Sequence, residues 1–338
     1  RVFRAQKEMN TFHLSDLGWS DHFARQLGDA TPYRITEVHR DSVTALSETG
    51  EHRLLAPTGT GTIAVGDWVK ADAGKIDQVL KRQSVLERRT AGSDAKLQLI
   101  AANVTTLAIV TSCNADFNEA RLERYLVLAA EAGCLPLIVL TKADQCDDAL
   151  SYKRMSERLS PLVTALAINA KDPDDVLRLS PWVIPGDTLA LVGSSGVGKT
   201  TLRNALTGQS AATQDIREDD ARGRHTTTAR AMVRTTLGGW LIDTPGMRAL
   251  RLSGVSDGIS AVFEDIEELA ASCRFNDCAH ETEPGCALQG AILEGTLDPA
   301  RLKRWRKLVR EEERNSETVA EARASDKGNG KMVKGAMA

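Results

Sequence analysis

Along residues 33–90, apolar and polar positions alternate in short runs. YRITEVHRDSVTALSETGEHRLLAP turns at Glu48-Thr49-Gly50, and VGDWVKAD and GKIDQVLKR follow. Short alternating strands separated by glycine turns predict a small antiparallel barrel. From about residue 100 the rhythm lengthens. VTTLAIVTS (104–112) and LPLIVL (135–140) are continuous apolar runs, the pattern of strands buried on both faces. Between them, NEARLERYLVLAAEAG (118–133) puts Leu122, Tyr125, Leu126 and Ala129 on one helical stripe and offers Gly133 as a C-terminal cap. A polar helical pattern covers 147–159. VTALAINAK (163–171) reads as a third strand with its loop, and DTLALVG (187–193) as a fourth that runs into a glycine-rich turn and a helix. RAMVRTT and GGWLID read as an antiparallel pair. Strands alternating with helices predict an α/β domain with a mostly parallel sheet. Residues 258–310 read as helical apart from a cysteine cluster. From about residue 315 the chain is polar and rich in glycine and lysine, which predicts disorder. FHLSDLGWSDHFARQL, within residues 1–30, predicts a short helix and carries no readable chemistry.

The length, 338 residues, fits two or three domains. No apolar run approaches the roughly 18 residues that span a bilayer, so no membrane association is expected. RVFRAQKEMN has no apolar core of a secretory signal, and with Arg rather than Met first, the true start is expected upstream. Six cysteines in a chain this long do not make a disulfide scaffold. Cys113, Cys134 and Cys146 read as reduced thiols, mostly buried, and the cytoplasm as the compartment. A net charge of −3 excludes a polycation, so any nucleic-acid contact must use local patches. The barrel could bind RNA or could be a packing module.

Gly193-Ser194-Ser195-Gly196-Val197-Gly198-Lys199-Thr200 fits the Gly-x-x-x-x-Gly-Lys-Thr phosphate loop, with Thr201 next to it. Its glycines let successive N–H groups curl around phosphate oxygens, Lys199 reaches the outer phosphates, and the Thr200 hydroxyl ligates Mg²⁺. Trp240-Leu241-Ile242-Asp243-Thr244-Pro245-Gly246 is an apolar strand ending in an acid. Asp243 would hold Mg²⁺ through water, and the Gly246 N–H would sense the γ-phosphate. Thr141-Lys142-Ala143-Asp144 closes the LPLIVL run. Its carboxylate can accept from N1–H and the 2-amino group of guanine, a pair adenine does not offer, while the Lys142 stem packs over the base. Asn169-Ala170-Lys171 suits the loop whose backbone N–H meets guanine O6. The base-reading motifs precede the phosphate loop, the reverse of the ordinary order. The same pocket still forms if the chain is a circular permutation, because domain termini often lie close together. In RGRHTTT (222–228), Thr226 or Thr227 would complete the Mg²⁺ shell. Met247 follows DTPG where many GTPases place a water-orienting Gln. His225 is the nearest substitute by sequence, or else an ordinary loop histidine.

Cys273, Cys278, His280 and Cys286 set three thiols and an imidazole close together. Three Cys and one His form a closed tetrahedral Zn²⁺ set, hence a structural site; a disulfide or unrelated thiols are the alternatives. RLKRWRKLVR (301–310) carries six cations and no acid. It could lie on RNA phosphates, or dock by its Leu302, Trp305 and Val309 stripe.

The order TKAD, NAK, GSSGVGKT, GRHTTT, DTPG and then CRFNDCAHETEPGC resembles the RsgA family of ribosome small subunit-dependent GTPases, and VGDWV (65–69) resembles that family's barrel signature. The resemblance runs from about residue 34 to 310. It implies an N-terminal extension (1–32), an OB-type β-barrel (33–90), a circularly permuted α/β P-loop GTPase (91–255), a zinc-binding helical domain (256–312) and a disordered tail (313–338). It also implies GTP hydrolysis stimulated by the small ribosomal subunit, in late maturation of that subunit, with rRNA contact and a monomeric chain. His225 matches the family's proposed catalytic histidine, beside Lys199 and Thr200; Asn169 replaces its usual Ser. A GTP-binding switch with negligible turnover, docking on RNA or protein, is the alternative.

Overall fold

The computed structural model describes residues 12–89, 97–161, 163–209, 231–244 and 254–315. The chain divides into two compact units. One runs up to Glu119 and from Ala132 to Ala249; the other joins Ala120–Glu131 to the chain from Leu250 onward.

In the first unit, β1 (Pro32–Val38), β2 (Ser42–Ser47), β3 (Gly50–Leu55), β4 (Trp68–Asp72) and β5 (Lys75–Val79) close a barrel in the order β1-β2-β3-β5-β4. That order is the OB-fold's. The alternating residues Ile35, Val43, Ala45, Leu54 and Val69 fill its interior, as the period-two pattern requires. Closure is not wholly antiparallel: β3 and β5 run parallel at Leu55 and Lys75, and this one pairing seals the barrel.

The VGDWV stretch explains itself physically. Gly66 has φ +90°, and a Cβ there would collide with the Ala102 carbonyl, so only glycine lets the barrel approach the chain that follows it. Asp67 is wholly buried and receives Arg82 at 2.7 and 2.8 Å and the Ala64 N–H at 2.7 Å. Trp68 is buried against Trp19 and Phe23 of the leader, at centroid distances of 4.8 and 5.9 Å. The leader folds as a 3₁₀ turn (Leu14–Leu17) and α1 (Asp21–Leu27). Buried Arg34 donates to Leu17 O, to Asn103 O at 3.1 Å and to Thr188 Oγ1 at 2.8 Å, tying leader, barrel and the α/β layer together. Burial pulls its guanidinium down to about 10.

A hairpin of β6 (Val85–Arg89) and β7 (Leu97–Ala102) leads to a six-stranded sheet. Its strands are β8 (Thr106–Ser112), β9 (Leu135–Thr141), β10 (Thr164–Ala167), β11 (Thr188–Val192), β12 (Met232–Arg234) and β13 (Trp240–Asp243). Their order is β10-β9-β8-β11-β13-β12, parallel except for the β12–β13 pair. Every residue of β8 and β11 is buried, which is why both read as unbroken apolar runs. Among the described residues, α3 (Ala149–Glu157), α4 (Pro173–Leu177) and α5 (Lys199–Thr207) complete this layer. Leu202 and Leu206 of α5 join Val110, Val139, Leu191 and Leu241 in one core. The Cys113 and Cys134 thiols are buried and pushed up to about 11 by that burial, so they are inert packing groups.

The second unit is helical: α2 (Glu119–Glu131, which the unit takes up at Ala120), α6 (Ser256–Val262), α7 (Glu264–Ala271), α8 (Ala287–Leu293) and α9 (299–315). Gly133, with φ +71°, follows α2 as expected of its cap. Glu123 of α2 is wholly buried and receives Arg304 at 2.7 Å and Arg301 at 3.4 Å. Arg301 also donates to Asp265 at 2.8 Å and to Val262 O at 3.1 Å, with its guanidinium over the Phe263 ring. Two of the cations in 301–310 therefore neutralise a buried carboxylate rather than face phosphate. Leu302 and Leu308 are the buried apolar contacts of this helix.

Candidate nucleotide site and metal cluster

All the described strand-end motifs lie at the carboxyl edge of the parallel strands, where open α/β sheets bind ligands. TKAD ends β9, NAK follows β10, the glycine-rich loop follows β11, and Asp243 ends β13. The sheet order resolves the reversed motif order. β11 sits at the centre, two strands from β9 and next to β13, although it comes after β9 and β10 in the chain. Crossing from β10 to β11 passes over β9 and β8, and that long return is the circular permutation.

Two side-chain hydrogen bonds join the Thr-Lys-Ala-Asp motif to the glycine-rich loop among the described residues. Thr141 Oγ1 donates to the Val197 carbonyl, and Lys142 Nζ donates to Gly196 O at 2.9 Å. Lys142 itself takes the left-handed conformation, φ +57°, which swings its side chain across the strand end toward the loop. Gly193, with φ +141°, packs so closely on the Val110 carbonyl that a Cβ would collide. Lys199, first residue of α5, folds back onto the carbonyls of Gly193 (2.8 Å) and Ser194. Ser195, Gly196 and Thr200 are exposed along the loop. Asp243 is level with Leu191 on the neighbouring strand and 3.5 Å from Arg203 of α5. The Thr244 hydroxyl donates to the Leu191 carbonyl and ties the end of β13 to β11. Thr200 and Asp243, proposed for Mg²⁺, thus lie in the first turn of α5 and at the end of the strand β13; a hydroxyl and a carboxylate suit a hard cation.

Asp144 lies in a 3₁₀ turn (Ala143–Gln145) held by Ala143 N–H on Ile168 O at 3.3 Å. It is exposed, and its carboxylate makes no hydrogen bond or ion pair among the described residues. The NAK loop is braced by a residue outside every motif: the Asn169 N–H donates to Asp175 Oδ2 at 2.7 Å. Sequence reading missed Asp175 and Arg203, because neither belongs to a spacing pattern. A cavity of about 560 Å³ lined by Lys171, Pro173, Leu177, Thr201, Ala205 and Leu237 brings Lys171 and Thr201, from opposite halves of the motif set, into one space. His225, Thr226, Thr227 and Gly246 lie outside the described residues, as does Met247.

In the helical unit, the ligand atoms of Cys273, Cys278, His280 and Cys286 all lie within 4.8 Å of one another. Cys273 Sγ is 3.4 Å from His280 Nδ1 and 3.9 Å from Cys286 Sγ, and Cys286 Sγ is 3.7 Å from His280 Nδ1. A tetrahedron with Zn–S of about 2.3 Å and Zn–N of about 2.0 Å has S···S edges of about 3.8 Å and S···N edges of about 3.5 Å. The donor set therefore fits a tetrahedral metal ion, and the cluster can hold one. His280 is at φ +61°, and the Glu283 carboxylate accepts from the N–H groups of Ala279, Glu281 and Thr282 at 2.8–3.0 Å, which shapes the ligand loop.

The RsgA GTPase family model matches residues 79–253. A small ribosomal subunit biogenesis GTPase RsgA of Mesorhizobium japonicum is 51% identical over 332 residues, covering 94% of this chain and 96% of its own. The chain belongs to the RsgA GTPase family. An RsgA 2 of Vibrio parahaemolyticus is 44% identical, with 96% and 92% covered. Among solved structures, YjeQ from Thermotoga maritima matches with a TM-score of 0.60 at 24% identity, over 83% of this chain and 98% of that one. YloQ, described as a circularly permuted GTPase, matches with 0.59 at 22%, over 87% and 97%. At those identities the structures speak for fold. They agree with the strand order above, so this RsgA-family chain is a circularly permuted GTPase with an N-terminal barrel. No described helix is long and apolar enough to cross a membrane.

Proposed function

We propose that this GTPase acts in biogenesis of the small ribosomal subunit and is stimulated by that subunit, with contact to its rRNA, in the cytoplasm and as a monomer. The observation that supports the reading is the joint between motif halves: Lys142 reaches the Gly196 carbonyl, which brings the Thr-Lys-Ala-Asp motif and the glycine-rich loop together. Relatives named for small-subunit biogenesis, alike over nearly the whole chain, supply the partner.

In this reading Asp144 reads N1–H and the 2-amino group of guanine, and Ala170 offers its N–H to O6. The loop from Gly193 to Thr201 cradles the phosphates through its amides. Lys199 leaves its own loop carbonyls for the outer phosphates. Thr200 and Asp243 would hold Mg²⁺, which supplies charge neutralisation at the β- and γ-phosphates. Thr226, Thr227 and Gly246 answer to the γ-phosphate, and His225 orients the attacking water in place of the absent Gln. Cys273, Cys278, His280 and Cys286 hold one structural Zn²⁺. Three thiolates and an imidazole would leave no position for water, so these residues would hold the ion as a structural brace of their loop, apart from hydrolysis.

Co-sedimentation with purified small subunits tests the partner. Binding is expected with a non-hydrolysable GTP analogue and should weaken with GDP. Equal, salt-insensitive recovery with both small and large subunits, or none with either, would refute it.

A further inference from the structure

The N–H groups of the loop after β10 are nearly all committed. Asn169 N–H donates to Asp175 Oδ2 at 2.7 Å, Lys171 N–H to Asn169 Oδ1 at 3.0 Å, and Asp172 N–H to Asn169 O at 3.0 Å. Only Ala170, in the stretch 169–172, has an N–H without a partner among the described residues. Asp175 is itself held. Arg178 Nη1 donates to Asp175 Oδ1 at 3.0 Å and to the Ala167 carbonyl at 2.9 Å, so one guanidinium tacks the carboxylate to the end of β10. The N–H of Asn169, with help from Arg178, keeps this carboxyl below the usual carboxylate range, so it is charged when the loop is read.

An N–H aimed at position 6 of a purine matches the oxygen of guanine and opposes the amino group of adenine. Its discrimination depends on direction. A loop free to rotate would lose the O6 bond without losing its fold. We propose that Asp175 is a positioning residue for base selection: by fixing Asn169 from one side, it aims the Ala170 N–H at guanine O6. This rests on the reading of Asn169–Lys171 as the base loop and extends it to a residue outside every motif.

The test compares GDP with 6-thioguanosine diphosphate, which differs at that one atom, by competition against a fluorescent GDP on the full chain. Sulfur is larger and accepts more weakly, so the wild type should favour GDP by about fivefold, the order of one hydrogen bond. Asp175→Ala should weaken GDP by about that factor, leave the thio analogue within about twofold, and bring the ratio near one. Asp175→Asn keeps an oxygen for the Asn169 N–H and should restore most of the ratio. Arg178→Gln, which leaves Asp175 in place, should lose part of it and serves if Asp175→Ala misfolds. Equal weakening of both nucleotides in Asp175→Ala would overturn the proposal and leave Asp175 a structural brace. A wild type that binds both equally would instead overturn the base-loop reading beneath it.

Discussion

Replacing Asp144 by Asn changes one atom in a side chain that touches nothing else described, so its effect on nucleotide binding is clean. Asp144 is exposed and held in place by its backbone turn, with Gln145 N–H on Lys142 O at 3.0 Å, so the fold should not respond. Two hydrogen bonds run from guanine to this carboxylate in the proposed site, each worth about 1.5–3 kcal/mol because the acceptor is charged. An Asn keeps one neutral acceptor and turns an N–H₂ toward the 2-amino group, donor against donor. Losing one charged bond and weakening the other costs about 3 kcal/mol, roughly 150-fold in affinity. Xanthine carries an oxygen at position 2, which that amide can serve, so xanthosine diphosphate should gain at least about tenfold. Competition against fluorescent GDP measures both, with thermal melting as the fold control. An unchanged GDP affinity together with an unchanged GDP-to-xanthosine diphosphate ratio would refute the assignment of Asp144.

Three further outcomes follow from the same structure. Metal analysis of reduced, purified protein should find close to one zinc per chain, and Cys286→Ser should lose it and loosen the helical unit; a content near zero in the wild type would remove the site. Arg82→Ala leaves the wholly buried Asp67 without its ion pair and should cost about 3–5 kcal/mol in urea unfolding, against under 1 kcal/mol for a surface pair. The Arg124 hydrogen bond holds Glu311 below its ordinary value of 4.5, the two meeting at 2.6 Å. A depressed carboxyl stabilises above that ordinary value and loses its contribution as pH falls through the depressed one. Stability of the helical unit should therefore drop on acidification below about pH 4.5, and Glu311→Gln should flatten the drop; an identical profile in the variant would count against the pair.

The parallel sheet was legible because strands buried on both faces leave no choice of residue: β8 and β9 are written as apolar runs. The described strand-end motifs were legible because their residues come at fixed spacing, and the fold sets them at one edge of the sheet. The leader was not. Its grip on the α/β layer is the Asp16 carbonyl, which accepts from Trp240 Nε1 at 2.7 Å and from Gly186 N–H at 3.2 Å, and a backbone acceptor leaves no mark in sequence. Glu123 sits in an amphipathic helix and reads as an ordinary polar position. Its partners, Arg301 and Arg304, come from the far end of the chain, so only the fold could show that they spend their charge internally. Asp175 was hidden for a similar reason. It looks like one acid among several at the start of a short helix, in whose first turn it lies, and its role depends on which N–H it meets.

GTP turnover by the purified chain, alone and with purified small ribosomal subunits, tests the central claim most directly, with ATP as the control substrate. Slow turnover alone, raised at least about tenfold by small subunits and absent with ATP, is the expected result. GTP binding with no stimulation by small subunits, or equal turnover of ATP, would contradict it.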